Sequence, residues 1–324
     1  MPALGGIDDP PGDVRTAITQ LRATLAGELP ARDAGHLLIG TWNIRAFGGL
    51  TDAWSTGPGD SPKRNLADVC AIAEIVRRFD VCALQETRSD LTALRTLVRR
   101  LGPEWGMLIT DTGEGAAAND ERLAYVFDRR SVDTSGLAGE LVIDDASFGD
   151  AATPLRHQFA RPPFMVSFEA GPLAARQSFT LVSLHVDYGE SAVDRTPEIA
   201  TFANRLRDRA LDEDEFDRNL IALGDFNIDR WDDPNGRAFV SAGLTPPAEL
   251  LDQPRSIFDR DGKKHFYDQI AWFTAGDEEA LRLRYTQQAG RIEWTKYLLR
   301  DMSAIGKSWR ISDHYPLWAQ FALT

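Results

Sequence analysis

The sequence predicts a four-layer α/β sandwich, two stacked mixed β-sheets flanked by helices, an α/β (α+β) class. Three observations carry this. Helical and strand-like apolar patterns alternate in both halves of the chain, hairpin-like pairs of strand runs fill its middle, and polar clusters recur at strand ends. Apolar runs are spread evenly over the 324 residues, as one large core requires. The expected organisation is an N-terminal leader and helix over 1–36 and one domain over 37–324.

Asp8, Asp9, Pro10 and Pro11 with no sustained apolar run predict a disordered leader over 1–11. Val14, Ile18, Leu21 and Leu25 recur at helical spacing and predict a helix over 13–29. The chain then alternates: strand 37–42, helix 63–79, strand 81–84, helix 91–101. Strands follow at 107–109, 123–127, 140–143, 164–168 and 179–184, then a helix at 197–211. Runs at 219–223, 269–273, 281–285 and 317–321 complete the strands. Gly-rich loops at 48–60 and 113–118 each lie beside a polar cluster, as mobile site loops or plain surface loops do.

With 36 basic and 49 acidic residues the net charge is −13, so attraction to a polyanion is not built into the whole surface. A local arginine patch and a bound cation can offset that mean. Cys70 and Cys82 stand in apolar-periodic segments without CxxC-like spacing, which excludes a zinc site or disulfide framework and predicts buried free thiols. No secretory signal or membrane span is visible, and the expected location is cytoplasmic.

Chemistry-bearing residues gather where strands end. Glu86 follows the apolar run 81–84, where a carboxylate can meet a hard cation, although alone it would read as a helix cap. Asp225 and Asn227, two apart, are expected on one face of an extended segment, with a turn as the plain alternative. His185 and His314 are two of five histidines; a carboxylate partner would raise the pKa of each and fix its tautomer, and Asp268 and Glu121 are the candidates. His36, His157 and His265 read as surface or packing residues.

Seven motifs occur in order between 37 and 321: Asn43-Ile44-Arg45-Ala46-Phe47-Gly48, Leu84-Gln85-Glu86-Thr87-Arg88, Glu121-Arg122-Leu123-Ala124-Tyr125, Leu184-His185, Gly224-Asp225-Phe226-Asn227, Tyr267-Asp268-Gln269-Ile270 and Ile311-Ser312-Asp313-His314-Tyr315-Pro316. Together they resemble the endonuclease/exonuclease/phosphatase superfamily, and within it the deoxyribonuclease I-like branch. The resemblance implies a Mg²⁺- or Mn²⁺-dependent phosphodiesterase with the sandwich fold. It implies that Glu86 binds the metal with Asn43 and Asp313, and that His314, polarised by Asp268, positions or deprotonates the attacking water. His185, held by Glu121, would stabilise phosphoryl oxygens or protonate the leaving oxygen, with acid and base exchangeable between the two imidazoles. Asp225 and Asn227 would align water and phosphate, Arg161 would grip a phosphate, and Arg45 and Arg88 would touch DNA.

The chain departs from that branch at 115–119, where small residues and Asn119 replace an aromatic that stacks on a sugar, and in lacking its disulfides. His185 stands where the abasic-site branch carries Asn, which disfavours abasic-site repair. The leading expectation is an endonuclease acting on DNA or RNA. The alternative is a phosphatase or phosphodiesterase acting on a nucleotide, inositol phosphate or phospholipid head group, with Lys263 and Lys264 as a phosphate grip. A non-catalytic module of the same fold is disfavoured by the complete motif set. No protein partner is indicated.

Overall fold

A computed structural model describes residues 6–112, 119–141, 159, 161–189, 191–259, 263–275, 278–279 and 281–323. The first half holds α1 (Gly12–Glu28), β1 (His36–Phe47), α2 (Leu66–Val76), β2 (Val81–Arg88), α3 (Thr92–Leu101), β3 (Trp105–Ile109), β4 (Glu121–Asp128) and β5 (Val132–Glu140). Next come β6 (Phe164–Ala170), β7 (Gln177–His185), α4 (Ala192–Leu211), β8 (Leu220–Asp225), α5 (Pro234–Ser241) and β9 (Leu244–Thr245). The chain closes with β10 (Asp268–Ala275), β11 (Glu278–Glu279), β12 (Arg284–Arg291), α6 (Ala304–Arg310) and β13 (Leu317–Ala322).

One sheet has the order β12-β13-β1-β2-β4-β3 and the other β11-β10-β8-β7-β6-β5, with β9 on β10. Within them β1 and β2 run parallel, as do β7 and β8, and every other pair is antiparallel. Alternation along each strand sorts side chains between two apolar layers. Leu37, Ile39, Val81, Ala83 and Phe321 face Phe168, Phe179, Leu181, Ile221 and Ile270 between the sheets. Leu38, Trp42, Cys82 and Leu84 pack under α2 and α3, while Val182, Leu184, Ala222 and Phe273 pack under α4 and α5. The result is the four-layer sandwich, each fully buried large apolar side chain contributing about 1.5–3 kcal/mol.

The inner face changes character along each strand. On β1 the alternate residues run Leu37, Ile39, Thr41, Asn43; on β7 they run Phe179, Leu181, Ser183, His185; on β8, Ile221, Leu223, Asp225. The middle level is already polar: Gln85 Nε2 donates across the sheets to Ser183 Oγ at 3.0 Å. One step further, the register places His185 beside Asp225 and Asp225 beside Asp268. Gly224 makes this approach possible: its φ is +127°, and a Cβ there would lie 2.1 Å from the Leu184 carbonyl oxygen.

Several elements differ from the sequence expectation. Ile7 is fully buried against Ile18, Leu66 and Cys70, so the leader is anchored over 6–11 rather than disordered. The strand expected at 281–285 is β12, from Arg284 on; Leu281 and Leu283 are buried in the preceding loop, where Asn219 Oδ1 accepts from the backbone N–H of Arg282 and Leu283. The strand expected at 140–143 is β5 over 132–140, an edge strand that buries Val132 and alternates half-buried and exposed residues beyond it; residues 142–143 lie outside the described residues, as do the 113–118 loop and His157. The helix expected at 63–79 is shortened to 66–76 by Asn65, whose side chain accepts from Asp68 N–H in a capping box. No helix among the described residues is long and apolar enough to cross a membrane.

Replacing Gly224 with Ala forces both a clash with Leu184 and a disfavoured positive φ. We expect a loss of about 3 kcal/mol or more, read as a lower urea midpoint; an unchanged midpoint would show that the β7–β8 approach relaxes freely.

Candidate active site

Six of the predicted residues meet at the polar mouth of the two sheets. Asp225 Oδ2 is the centre: it accepts from Asn43 Nδ2 at 2.9 Å, which ties one sheet to the other. His185 Nε2 and His314 Nε2 lie 3.8 and 3.9 Å from that same oxygen. Each imidazole is held from behind by a buried carboxylate. His314 Nδ1 lies 2.7 Å from Asp268 Oδ2, and His185 Nδ1 lies 3.0 Å from Glu121 Oε2. The Asp268 carboxylate hydrogen-bonded behind His314 selects the tautomer with N–H on Nδ1 and aims Nε2 at the mouth, while Glu121 stands close behind the His185 ring.

The electrostatics follow from burial against pairing. Burial pushes the Asp268 carboxyl up to about 6, although His314 opposes it. Burial also works against charge on His314, but Asp268, backed by Asp225 and Asp313, outweighs it and holds the imidazole well above its ordinary value. The pair rests as imidazolium and carboxylate. At Glu121 burial is outweighed by His185, Arg161 and Arg88, so its pKa falls below the usual value.

Glu86 sits in a double irregularity. The β1–β2 register shifts between Asn43 and Phe47, and the β2–β4 register shifts between Leu84 and Thr87. Within these bulges Glu86 and Ala46 take positive φ, +58° and +46°, and Glu86 Oε2 accepts from Ala46 N–H at 2.7 Å. Non-glycine residues pay for that conformation, and such strain collects at functional sites. Asp313 Oδ2 lies 3.6 Å from Arg45 Nη1. Asn43 Oδ1 and Asp313 Oδ1 are each buried with no hydrogen-bond partner. Orphaned amide and carboxylate oxygens beside a strained carboxylate form an all-oxygen donor set, which fits a hard divalent cation. A second group, Asp225, Asp268 and His314, offers ligand atoms within 4.8 Å of one another, but the Asp268–His314 hydrogen bond already uses two of those side chains.

Other predicted residues make contacts that the sequence did not show. Asn227 does not share a strand face with Asp225: its φ is +50°, its backbone N–H donates to Asp225 Oδ1 at 2.9 Å, and its amide donates to the Val186 carbonyl at 2.7 Å. It turns the chain and orients Asp225. Arg161 is buried, not on the surface, with Nε 2.6 Å from Glu121 Oε2. Arg88 is 3.2 Å from Glu121 Oε1 and 3.9 Å from Glu86. Lys264 is engaged by Asp252 at 2.7 Å. His265 has a carboxylate neighbour after all, Asp259 at 2.7 Å, and stacks on Tyr267 beside His314. Cys70 and Cys82 are free and buried, and burial pushes the Cys70 thiol up to about 11.

Among the buried arginines that sequence reasoning missed, Arg64 and Arg255 brace the backbone of the site. Arg64 donates to four carbonyls, those of Arg45, Ala46, Arg310 and Ile311, at 2.7–3.1 Å. It joins the Glu86 bulge to the Asp313 loop, and although burial lowers its pKa to about 10, Asp68, Glu86 and Asp313 keep it charged at neutral pH. Arg255 donates to the carbonyls of Asp268, Leu250 and Gln253, while its own carbonyl accepts from Tyr315 N–H. Neither arginine sits in a motif or at a periodic position, so no sequence signal marks them. Ser312 was visible only as part of its motif; its Oγ accepts from His314 N–H and donates to the Asn43 carbonyl.

Residues 40–292 match the profile of the Endonuclease/Exonuclease/phosphatase family. A deoxyribonuclease of Thioalkalivibrio sp. (strain K90mix) is 28% identical over 309 residues, covering 90% of this chain and 73% of the relative. A functionally unknown conserved protein from Enterococcus faecalis V583 superimposes with a TM-score of 0.58 at 16% identity, covering 89% of this chain and 100% of that one. The mannosyl-6-phosphatase of Bacteroides thetaiotaomicron superimposes with a TM-score of 0.53 at 16% identity, covering 88% and 99%.

Behind His185, Glu198 Oε2 accepts from Asp187 N–H at 3.3 Å, and burial pushes its carboxyl up to about 8. The unfolded chain ionises this group near about 4.3, so its stabilising contribution is full below that pH and is lost as pH rises through about 8. Glu198→Gln therefore gains stability relative to wild type between pH 5 and 8, read as diverging urea midpoints; parallel curves would place an ionised Glu198 in the fold.

Proposed function

The chain belongs to the endonuclease/exonuclease/phosphatase family, and we propose that within this family of phosphoester hydrolases it is a divalent-metal-dependent endonuclease acting on DNA. The observation that carries this reading is the pair of carboxylate-backed imidazoles whose Nε2 atoms flank one oxygen of Asp225. A phosphodiester needs charge opposite its non-bridging oxygens, a base for water and a proton for the leaving oxygen. His314, resting as imidazolium, faces the phosphoryl group as charge and donor. Asp225 Oδ2, within 4 Å of both imidazoles, takes the proton of the attacking water. This moves the base from His314, where the sequence placed it, to Asp225. His185, oriented by Glu121, protonates the leaving oxygen, and Asn227 and Asn43 hold Asp225 in place.

Mg²⁺ or Mn²⁺ would be held by Glu86, Asn43 and Asp313 and, when bound, supplies positive charge against the phosphoryl and leaving oxygens. Arg161 adds charge behind His185 through Glu121, while Arg45 and Arg88 stand at the mouth, where a phosphate backbone would pass. The deoxyribonuclease relative supports DNA as substrate. The fold alone does not choose, since a sugar phosphatase shares it. Of the lysine pair that would serve the phosphatase alternative, Lys264 is engaged by Asp252.

Supercoiled plasmid, a chromogenic phosphodiester and a panel of phosphomonoesters, each with Mg²⁺, Mn²⁺ or chelator, test the reading. We expect metal-dependent nicking, lowered about 10²–10⁴-fold by His314→Ala or Asp225→Ala. Arg88→Ala should weaken plasmid cleavage more than diester cleavage. Phosphate release from one monoester with DNA untouched would replace the nuclease with a phosphatase. Chelation should stop turnover yet leave the melting temperature within a few degrees, because a small carboxylate site does not organise a core of this size; a large shift would make the metal structural.

A further inference from the structure

A cleft of about 460 Å³ opens beside the catalytic residues, between the β1 bulge, the loop before α2 and helix α6. Its charged lining is Arg45, Lys63, Arg64 and Arg88 against Asp90, in a chain whose net charge is −13. Asp90 is itself occupied, its Oδ1 accepting from the backbone N–H and hydroxyl of Thr92 at 2.9 and 2.6 Å. One wall is Trp309 on α6, an indole 45% exposed. Ile305, one turn earlier on the same helix face, is 67% exposed.

Arg45 joins this wall to the catalytic centre. Its guanidinium carbon lies 4.0 Å from the Trp309 ring centroid, and Nη1 donates to Ser308 Oγ at 2.8 Å and lies 3.6 Å from Asp313 Oδ2. Lys63 is held over the cleft by the carbonyls of Pro58 and Gly57 at 2.6 and 3.2 Å. A half-exposed indole with an arginine on its ring, four basic side chains in the lining and this volume suit one nucleobase with its phosphate: the base has the Trp309–Arg45 stack as its surface and the phosphate has Lys63 and Arg88. A phosphate would pair charge with Lys63, which is otherwise held by neutral carbonyls.

We propose that this cleft is a subsite for one unpaired nucleotide flanking the scissile phosphate, its base stacked against Trp309 and Arg45. The inference rests on the nuclease reading and narrows its substrate to single-stranded or frayed DNA. A base enters the cleft only when unstacked from its neighbours, which a duplex resists and a single strand permits. Trp309 thereby supplies a stacking aromatic, which the 115–119 stretch lacks in the sequence.

The test compares kcat/KM on a single-stranded oligonucleotide, the matching duplex and bis(p-nitrophenyl) phosphate for wild type, Trp309→Ala and Trp309→Phe, with oligonucleotide binding by fluorescence anisotropy in chelator as a second readout. Wild type is expected to favour the single strand. Trp309→Ala should lower the ratio of single-strand to small-diester activity about tenfold, the scale of one base–aromatic stack. It should weaken single-strand binding in parallel, and Trp309→Phe should restore most of both. An unchanged ratio and affinity in Trp309→Ala, with DNA still cleaved, would overturn the subsite alone. Hydrolysis of the small diester by a wild type that cleaves no DNA would overturn the nuclease reading and this inference with it.

Discussion

Three carboxylates buried at the mouth of the sandwich are the constraint on which the site depends. Glu121, Asp225 and Asp268 are each 2% exposed or less. An ionised carboxylate buried alone costs several kcal/mol, and the cost is offset only by partners of good geometry. The partners are the functional groups themselves: His185 and Arg161 on Glu121, His314 on Asp268, and the Asn43 amide on Asp225. The pairing that makes the fold tolerable therefore also orients the imidazoles, and stability and catalytic geometry are one requirement here.

That requirement reaches into the backbone. Aiming Glu86 and Asp313 at the mouth needs bulges and an irregular loop, and such backbone leaves carbonyls without ladder partners. Arg64 gathers four of them, and Arg255 does the same for the chain around Asp268. The His314 carbonyl accepts from two indoles, Trp42 Nε1 at 3.0 Å and Trp294 Nε1 at 3.2 Å. Of the strained residues, Ala46 is held by Arg64 and by Glu86, and Asn227 by Asp225, the Val186 carbonyl and Arg195.

The sequence was most legible where a side chain's role follows from its own period and neighbours. Strands such as 81–84 and 164–168 stood out because two apolar layers demand continuous apolar runs, and the polar residues ending them marked the mouth. That Asp268 and Glu121 were partner candidates followed from chemistry that places a carboxylate behind an imidazole; which of them goes with which ring came from the family resemblance. Edge strands β5 and β12 carried a weaker pattern because one side of each meets solvent. Asn227 was misplaced because a positive φ is invisible in Gly-Asp-Phe-Asn, and His265 because Asp259 stands six residues away in a loop. Arg64 and Arg255 answer only to carbonyls brought together by the tertiary fold, so nothing local announces them.

The central claim is that buried carboxylates hold two imidazoles in place around Asp225, with Asp268 keeping His314 charged, and ring-nitrogen NMR of ¹⁵N-histidine-labelled protein in chelator tests it most directly. Both His314 nitrogens should carry protons through neutral pH, with a downfield Nδ1–H signal that disappears in Asp268→Asn. A neutral His314 at pH 7, or a signal indifferent to Asp268, would contradict the account.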